Sequence, residues 1–348
     1  MKDKVRFALV GCGRVSLNHD DAILHAPHAE LAAVCDIDAE KAKESAEKNG
    51  LDRYYTDMEE MIKTEKPDVC CIITPSGLHA ETAIKAANMG INILVEKPMD
   101  VTKEEMRRII DACRVNGVKL GGVFQRRTFD AAIGLKKAVE NGCFGKLTMG
   151  SASLRYYRDQ EYYDSDDWRG TWALDGGGAL MNQGIHGVDM LDWLMGGIYS
   201  VTAVCEKMHW DIEAEDTAVV LVKFKNGAIG TIECCTTAYP GMDSVFTISG
   251  SEGNVIMGND GFYQWQFKDE TIKKPDTTGN MGGINCSYNV GNYGHTMQIE
   301  DMAMAILEDR EPMVSGSDAM RGASLILAIY ESARTGKEVI IDDFIKAN

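Results

Sequence analysis

Lys97 and His186 are the side chains of this sequence whose types and settings best fit proton transfer at a carbon centre. Lys97 stands in Glu96-Lys97-Pro98, directly after an apolar run that reads as a strand. A lysine at a strand end polarises or deprotonates a hydroxyl once its surroundings lower its hold on the proton. His186 follows the turn Gly176-Gly177-Gly178 on a predicted helix. Asn182 and His186 are spaced i, i+4, and His186 and Asp189 i, i+3, so an α-helix would carry all three on one face. The glycines let the start of that helix approach another backbone. A lysine and a histidine of this kind can take the proton from a secondary hydroxyl while a hydride leaves the same carbon. Asn182 would orient the substrate or the lysine. That chemistry needs a hydride acceptor.

The acceptor's site is written at the start of the chain. Gly11-Cys12-Gly13-Arg14-Val15-Ser16 follows a predicted strand and opens a predicted helix. Gly11 permits a tight turn, and Gly13 lets the backbone reach a pyrophosphate at the helix N-terminus, with Arg14 and Val15 beside it. Asp36 ends the second predicted strand, placed to accept hydrogen bonds from ribose hydroxyls. Its charge repels a 2′-phosphate, and Ile37-Asp38 supplies no cation to bind one, so NAD is expected over NADP. Thr74, Pro75 and Ser76 end a further strand and are expected to line the cofactor, as are His79 on the turn after them and Glu96 and Lys97 at the next strand end. A histidine that merely starts a helix is an equal reading for His79. His19 stands one turn beyond the glycine motif, where a phosphate contact is one reading.

Other residues suit a polar substrate. Arg126, Arg127, Arg155, Arg158 and Arg169 lie in or beside the same segments, and surface placement is an equal reading for them. Trp168-Arg169-Gly170-Thr171-Trp172 offers aromatic faces for a sugar or nucleotide. Asn292-Tyr293-Gly294-His295, with Gln298 beyond it, is a weaker candidate. Lys97, Arg126, Arg127, Trp168, Arg169, Asn182, His186 and Asp189 form the expected substrate-binding set.

The elements that must hold these groups fall into two patterns. Residues 5–122 alternate apolar strands (5–10, 30–35, 69–74, 92–96, 119–124) with helices (16–27, 39–49, 57–65, 78–90, 102–117). Near-continuous apolar strands separated by helices indicate a doubly wound parallel sheet. After residue 125 come a helix (129–141), a long strand (147–157), a polar aromatic loop, the helix 179–195, then strands at 200–205, 217–224, 229–237, 245–249 and 254–257 with short turns between them. Such a run predicts an open antiparallel sheet. Two helices, 293–308 and 318–335, follow. The fold expected is α/β: a Rossmann domain over 1–123 and an α/β domain over 124–348 for substrate binding and oligomerisation. Lys97 and His186 fall in different domains, so the site is expected to draw on both. A broad sheet with an apolar face predicts a homo-oligomer, a tetramer or a dimer.

Bulk properties exclude several functions. The chain has 348 residues, enough for two domains, and 45% of them are hydrophobic. With 36 basic against 53 acidic residues, the net charge of −17 disfavours nucleic acid and anionic membrane surfaces. No apolar run reaches membrane-spanning length. The first residues carry no signal-peptide pattern, so a cytoplasmic location is expected. The ten cysteines include the adjacent pairs Cys70-Cys71 and Cys234-Cys235 on apolar strands, where neighbours face opposite ways. Reduced thiols packed as small hydrophobes are expected. No C-x-x-C spacing marks a metal site, and none is expected.

Taken together, Gly11 to Ser16, Asp36, Thr74 to Ser76, Glu96-Lys97-Pro98 and the segment from Gly176 to Asp189 resemble the glucose–fructose oxidoreductase/inositol dehydrogenase/rhizopine catabolism (Gfo/Idh/MocA) family across nearly the whole chain. The resemblance implies catalytic roles for Lys97 and His186. Members of the inositol dehydrogenase pattern carry an aspartate where this chain has Asn182, and an amide cannot relay protons. Members that oxidise the 3-position of a nucleotide-linked N-acetylated uronic acid are similar in having asparagine there. The resemblance thus implies an NAD-dependent dehydrogenase of a sugar or nucleotide-linked sugar acid, acting at C3. An inositol, polyol or free-sugar dehydrogenase is the alternative. A non-catalytic NAD(P)-binding regulator is the third reading, which the presence of both Lys97 and His186 disfavours.

Overall fold

The computed structural model describes residues 3–277 and 293–347. Two compact units are formed. One comprises Met1–Gln125 with Gly291–Arg321, the other Arg126–Val290 with Gly322–Asn348. The first unit thus takes in a late segment of the chain as well as its N-terminal part.

In the first unit, strands β1 (Val5–Val10), β2 (Ala29–Cys35), β3 (Val69–Ile72), β4 (Asn92–Val95) and β5 (Leu120–Gly122) alternate with helices α1 (Ser16–His25), α2 (Ala39–Lys48), α3 (Met58–Glu65), α4 (His79–Asn88) and α5 (Lys103–Asn116). The sheet is parallel throughout, in the order β2-β1-β3-β4-β5. Strands β1, β3 and β4 are buried nearly end to end, which is why they read as apolar runs. The helix limits obey local chemistry. Thr102 Oγ1 accepts the Glu105 N–H, and α5 ends at Gly117 in the left-handed conformation.

One side of this unit's core joins Phe7, Leu9, Ile23, Val34, Val69 and Leu94 to Ile299, Met302 and Ala303. The last three belong to a helix over Tyr293–Leu307. Beyond it, β5 admits close neighbours only because its end lacks side chains. A Cβ on Gly122 would lie 2.4 Å from that of Ala319. Full burial of a side chain such as Phe7 or Leu9 contributes about 1.5–3 kcal/mol, so the late segment is a structural part of the nucleotide-type sheet.

In the second unit, α6 (Asp130–Glu140), β6 (Leu147–Arg155), α7 (Gln160–Asp164) and α8 (Ile185–Leu194) precede β7 (Ile198–Glu206), β8 (Thr217–Phe224), β9 (Ile229–Cys235), β10 (Val245–Gly250), β11 (Gly253–Gly258) and β12 (Gly261–Phe267). The strand β13 (Val339–Ile340) completes an eight-stranded sheet ordered β12-β11-β10-β6-β9-β8-β7-β13. All pairings are antiparallel except β6 with β9, which runs parallel through Ser151 opposite Thr231. The sheet is therefore mostly, not wholly, antiparallel. Helix α8 lies on its buried face at β6, where a Cβ on Gly187 would meet Leu154 at 2.4 Å. The chain also holds α9 (Tyr293–Leu307), α10 (Gly316–Thr335) and α11 (Ile341–Lys346).

Candidate active site

Every cofactor-side residue expected from the sequence lies at the C-terminal edge of the parallel sheet in the first unit. That edge is where ligands bind in doubly wound folds. The turn after β1 has Gly11 at φ 105, and a Cβ there would come 2.6 Å from the Ile73 carbonyl oxygen, so only glycine fits. Gly13 is exposed, with open space where its Cβ would stand. Ser16 closes the turn by donating from Oγ to the Gly13 carbonyl at 2.7 Å. Arg14 and Val15 are exposed beside it. These are the features a pyrophosphate at the start of α1 requires.

Asp36 follows β2. Its Oδ2 accepts the Cys12 N–H at 2.7 Å and its Oδ1 accepts the Asp38 N–H at 2.9 Å. Both oxygens are thereby aimed, and each keeps a lone pair for a ribose hydroxyl. Ile37 beside it is 95% exposed and supplies no charge. Thr74, Pro75 and Ser76 follow β3. Thr74 Oγ1 is buried and has no hydrogen-bond partner among the described residues, an orphaned polar atom that a bound polar ligand would satisfy. Glycine turn, aimed carboxylate and orphaned hydroxyl together fit a dinucleotide.

His79 has both ring nitrogens against the backbone. It is buried, with Nδ1 2.8 Å from the Pro98 carbonyl oxygen and Nε2 2.8 Å from that of Thr74. Burial lowers its pKa, opposed by the two carbonyls and by the Asp100 and Glu96 charges. The side chain clasps the segment after β3 to the segment after β4.

Lys97 is half-buried at the end of β4, and the Lys97-Pro98 peptide is cis. Its backbone N–H donates to Glu96 Oε2 at 3.0 Å. Glu96 itself is 6% exposed, and its Oε1 lies 2.9 Å from His19 Nε2 and 3.7 Å from His295 Nε2. Burial would push the Glu96 carboxyl up, but the His19 and His295 rings outweigh it and hold it well below the ordinary range. His19 therefore faces Glu96 and is 1% exposed, not turned toward a phosphate. Gln298 donates to the Gly122 carbonyl at 3.1 Å and fixes the end of β5 instead of lining a pocket. Asn292 lies outside the described residues.

In the second unit the glycine turn is held by a residue the sequence reading missed. Glu215, 3% exposed, accepts the Gly178 N–H at 3.1 Å, the Leu180 N–H at 2.8 Å and the Tyr330 hydroxyl at 2.9 Å. Its own carbonyl accepts the Ala179 N–H at 2.9 Å. Burial pushes its carboxyl up to about 7 against the pull of those donors. A carboxylate at a helix N-terminus satisfies donors the helix leaves open.

The helix after the turn is not α throughout. Residues Ala179–Gly184 form a π segment, and α8 begins only at Ile185. Asn182 sits in the wider turn, so the one-face reading of Asn182, His186 and Asp189 does not carry over. Asn182 donates from Nδ2 to Asp175 Oδ1 at 2.7 Å, while Asp175 Oδ2 accepts the Gly170 N–H at 2.9 Å. His186 is half-buried on the first turn of α8.

The arginines are not one cluster. Arg127 Nε and Nη2 bind Asp189 at 2.8 and 2.5 Å, a bidentate pair with side chains 8% and 3% exposed. Both were expected to hold substrate. They brace α8 instead, because a buried charge is tolerable only when paired. Arg155 pairs with Glu233, and Arg158 donates to the Tyr157 carbonyl while lying over the Tyr162 ring. Arg169 is stacked between Trp168 and Tyr162, 4.7 and 4.5 Å from the ring centroids, and is hydrogen-bonded to the Tyr162 hydroxyl. Tyr162 also accepts from Gln183 of the π segment at 3.1 Å, so this aromatic–arginine stack abuts the Asn182 turn. Arg126 is half-buried and donates to Ser244 Oγ at 3.2 Å.

Comparison with known proteins agrees with this geometry. Residues 5–123 match the oxidoreductase family with an NAD-binding Rossmann fold, and residues 133–256 match the GFO/IDH/MocA C-terminal domain. Among solved structures, the WlbA dehydrogenase from Bordetella pertussis, in complex with NADH and UDP-GlcNAcA, superposes with a TM-score of 0.86 at 35% identity, covering 97% of this chain and 98% of that one. Among curated proteins, the Myo-inositol 2-dehydrogenase of Thermotoga maritima is 25% identical over 98% of this chain and 100% of its own length. The D-apiose dehydrogenase of Paraburkholderia graminis is 25% identical over 95% of this chain and 88% of its own. No described helix is long and apolar enough to cross a membrane. With its Rossmann unit, the glycine turn and Asp36 in place and both family domains matched, the chain belongs to the Gfo/Idh/MocA family of NAD-dependent oxidoreductases.

Proposed function

We propose that this chain oxidises the C3 hydroxyl of a UDP-linked N-acetylated uronic acid with NAD. The observation that carries the reading is Asn182. One N–H of its amide is held by Asp175, so where the inositol pattern has a proton relay this chain has an amide that orients without exchanging a proton. The 35% identity to a dehydrogenase crystallised with UDP-GlcNAcA supports the same substrate class.

Bound NAD supplies the hydride acceptor. Gly11, Gly13, Arg14 and Val15 would hold the pyrophosphate, Asp36 the ribose, and Thr74, Pro75 and Ser76 the nicotinamide side, with the buried Glu96 acting only behind Lys97. Lys97 takes the hydroxyl proton. His186 orients that hydroxyl by hydrogen bonding to its oxygen. Asn182 orients the sugar, and Arg126, Trp168 and Arg169 address the polar part of the substrate. A positioned acid–base group contributes about 10²–10⁴ in rate. The test is a spectrophotometric assay with NAD and, in parallel, UDP-GlcNAcA, UDP-GlcNAc, myo-inositol and D-glucose. Turnover restricted to UDP-GlcNAcA supports the reading. Turnover of myo-inositol or glucose without the nucleotide-sugar would replace it with a polyol or free-sugar dehydrogenase.

We also propose that a second copy of the chain covers the outer sheet face. Val204, Val219, Leu221 and Ile229 are 62, 49, 60 and 59% exposed. Val204 faces Val219 directly, Leu221 lies two residues further along the same face of β8, and Ile229 faces Lys223. Large apolar side chains this exposed on one sheet support an interface there. Light scattering should give a dimer or tetramer, and a monomer at micromolar concentration would remove the proposal.

A further inference from the structure

We propose that His19 and His295 are positioning residues for Lys97, acting through the Glu96 carboxylate. The inference rests on the reading of Lys97 as the proton-accepting amine.

Glu96 joins three elements of the first unit. It follows β4, His19 lies in the second turn of α1, and His295 lies in the first turn of α9. Its two oxygens have separate duties. Oε2 accepts the Lys97 N–H at 3.0 Å, and Oε1 faces His19 Nε2 at 2.9 Å and His295 Nε2 at 3.7 Å. The two rings meet edge to face with centroids 5.4 Å apart. A carboxylate engaged at both oxygens cannot rotate, so the peptide that carries Lys97 is pinned to α1 and α9.

The location argues against a purely structural role. Ala22, Ile23 and Ile299 on the same helices form ordinary apolar core. Burying a carboxylate and two imidazoles there is a poorer source of stability than apolar packing. His19 Nδ1 even lacks a hydrogen-bond partner among the described residues. A network less stabilising than the apolar core around it, adjoining Lys97, is explained by what it does to Lys97. It fixes the direction in which the amine leaves the strand end. It also spreads the Glu96 charge into the imidazoles and away from the lysine.

Two histidines and a glutamate with donor atoms within 4.8 Å of one another could also hold a divalent cation. The 2.9 Å contact of His19 with Oε1 is already a good hydrogen bond, which favours the positioning role.

The test compares His19→Phe and His295→Phe, which keep a ring but lose the donor, with His19→Gln and His295→Gln, which restore one. Reductive ¹³C-methylation of the full-length protein gives a lysine signal assigned to Lys97 by its loss in Lys97→Met. That signal should move in the Phe variants and return toward the wild-type position in the Gln variants. With UDP-GlcNAcA as probe, kcat should fall roughly 10–100-fold in the Phe variants, as small misplacements do, with NAD affinity unchanged by calorimetry. Should the Phe variants not fold, His19→Asn and His295→Asn, too short to reach Oε1, give the same contrast. A Lys97 signal that stays in place in every variant, or one equivalent of metal found by mass spectrometry in the purified protein, would overturn the inference. If Lys97→Met retains turnover, the reading of Lys97 fails. If Lys97→Met is inactive while the Phe variants keep full kcat, the inference alone fails.

Discussion

Asp36 Oδ2 lies 2.7 Å from the backbone nitrogen of Cys12, so the carboxylate that reads the ribose also braces the glycine turn. Loss of the side chain therefore removes two interactions. Asp36→Ala should weaken NAD by about 10–100-fold, the value of one or two hydrogen bonds to a charged acceptor. It should also narrow the preference for NAD over NADP, because no charge is left to repel a 2′-phosphate. Calorimetric titration with both cofactors checks this. Wild-type protein that binds NADP more tightly than NAD would refute the assignment of Asp36.

The proton-transfer pair gives a second expectation. Lys97→Met and His186→Ala should each lower kcat by about 10²–10⁴-fold. NAD affinity should hardly change, because neither residue belongs to the pyrophosphate or ribose site. Asn182→Ala should be milder in kcat and heavier in KM, since its amide orients but exchanges no proton. Steady-state kinetics on the substrate identified by the screen, with separate cofactor binding, checks all three. Undiminished turnover in the Lys97→Met, His186→Ala double variant would end the mechanism.

Much of this was legible in the sequence, and the limits have physical causes. The parallel sheet was plain because β1, β3 and β4 are buried on both faces, leaving apolar runs with no alternation to confuse them. The glycine turn, Asp36 and Lys97 were legible because each sits at the end of such a run. The β12 strand Gly261–Phe267 escaped, since its Tyr263, Gln264 and Gln266 break the apolar pattern. The parallel pairing of β6 with β9 is set by distant register, which short turns do not encode. The return of α9 to the first unit is likewise a contact across nearly the whole chain.

Charged residues were the hardest to read, for one reason. Arg127 lies 62 residues before Asp189, and Glu215 lies 35 residues after Leu180. A charge next to a catalytic segment looks available for substrate until its partner is seen. Each of these partners came from elsewhere in the chain. The π turn at Ala179–Gly184 is a further case, because face assignments from spacing assume regular α geometry.

The Arg127–Asp189 pair makes a stability prediction. Arg127→Ala leaves a carboxylate that is 3% exposed without its bidentate partner. Breaking a buried pair from one side costs about 3–5 kcal/mol. Removing both charges with Arg127→Met and Asp189→Leu should be far less damaging than either single change. Urea unfolding of the four proteins checks this. Equal, additive losses would mean that the two side chains act independently.

Glu215 makes stability depend on pH around the glycine turn. Its carboxyl rises from the ordinary 4.5 to about 7, chiefly through burial, while the donors at Leu180, Tyr330 and Gly178 pull the other way. The folded state thus holds this proton more tightly than the unfolded chain does. For a raised pKa the associated stability is fully present below pH 4.5, and it is lost progressively as pH rises toward and through 7. The rise from 4.5 to about 7 corresponds to on the order of 3 kcal/mol. Glu215→Gln cannot titrate, so its stability should change less steeply than wild type between pH 4.5 and 7. The gap between the two proteins should then stay constant at higher pH. The variant still loses one acceptor, because its amide group cannot receive both the Gly178 and Leu180 N–H bonds, so it should be the less stable protein at low pH. Urea midpoints at intervals from pH 4 to 8, compared as a difference between the two proteins, isolate this residue from every other titration. Parallel curves across the whole range would show that Glu215 keeps one charge state throughout, and the turn would then owe nothing to its protonation.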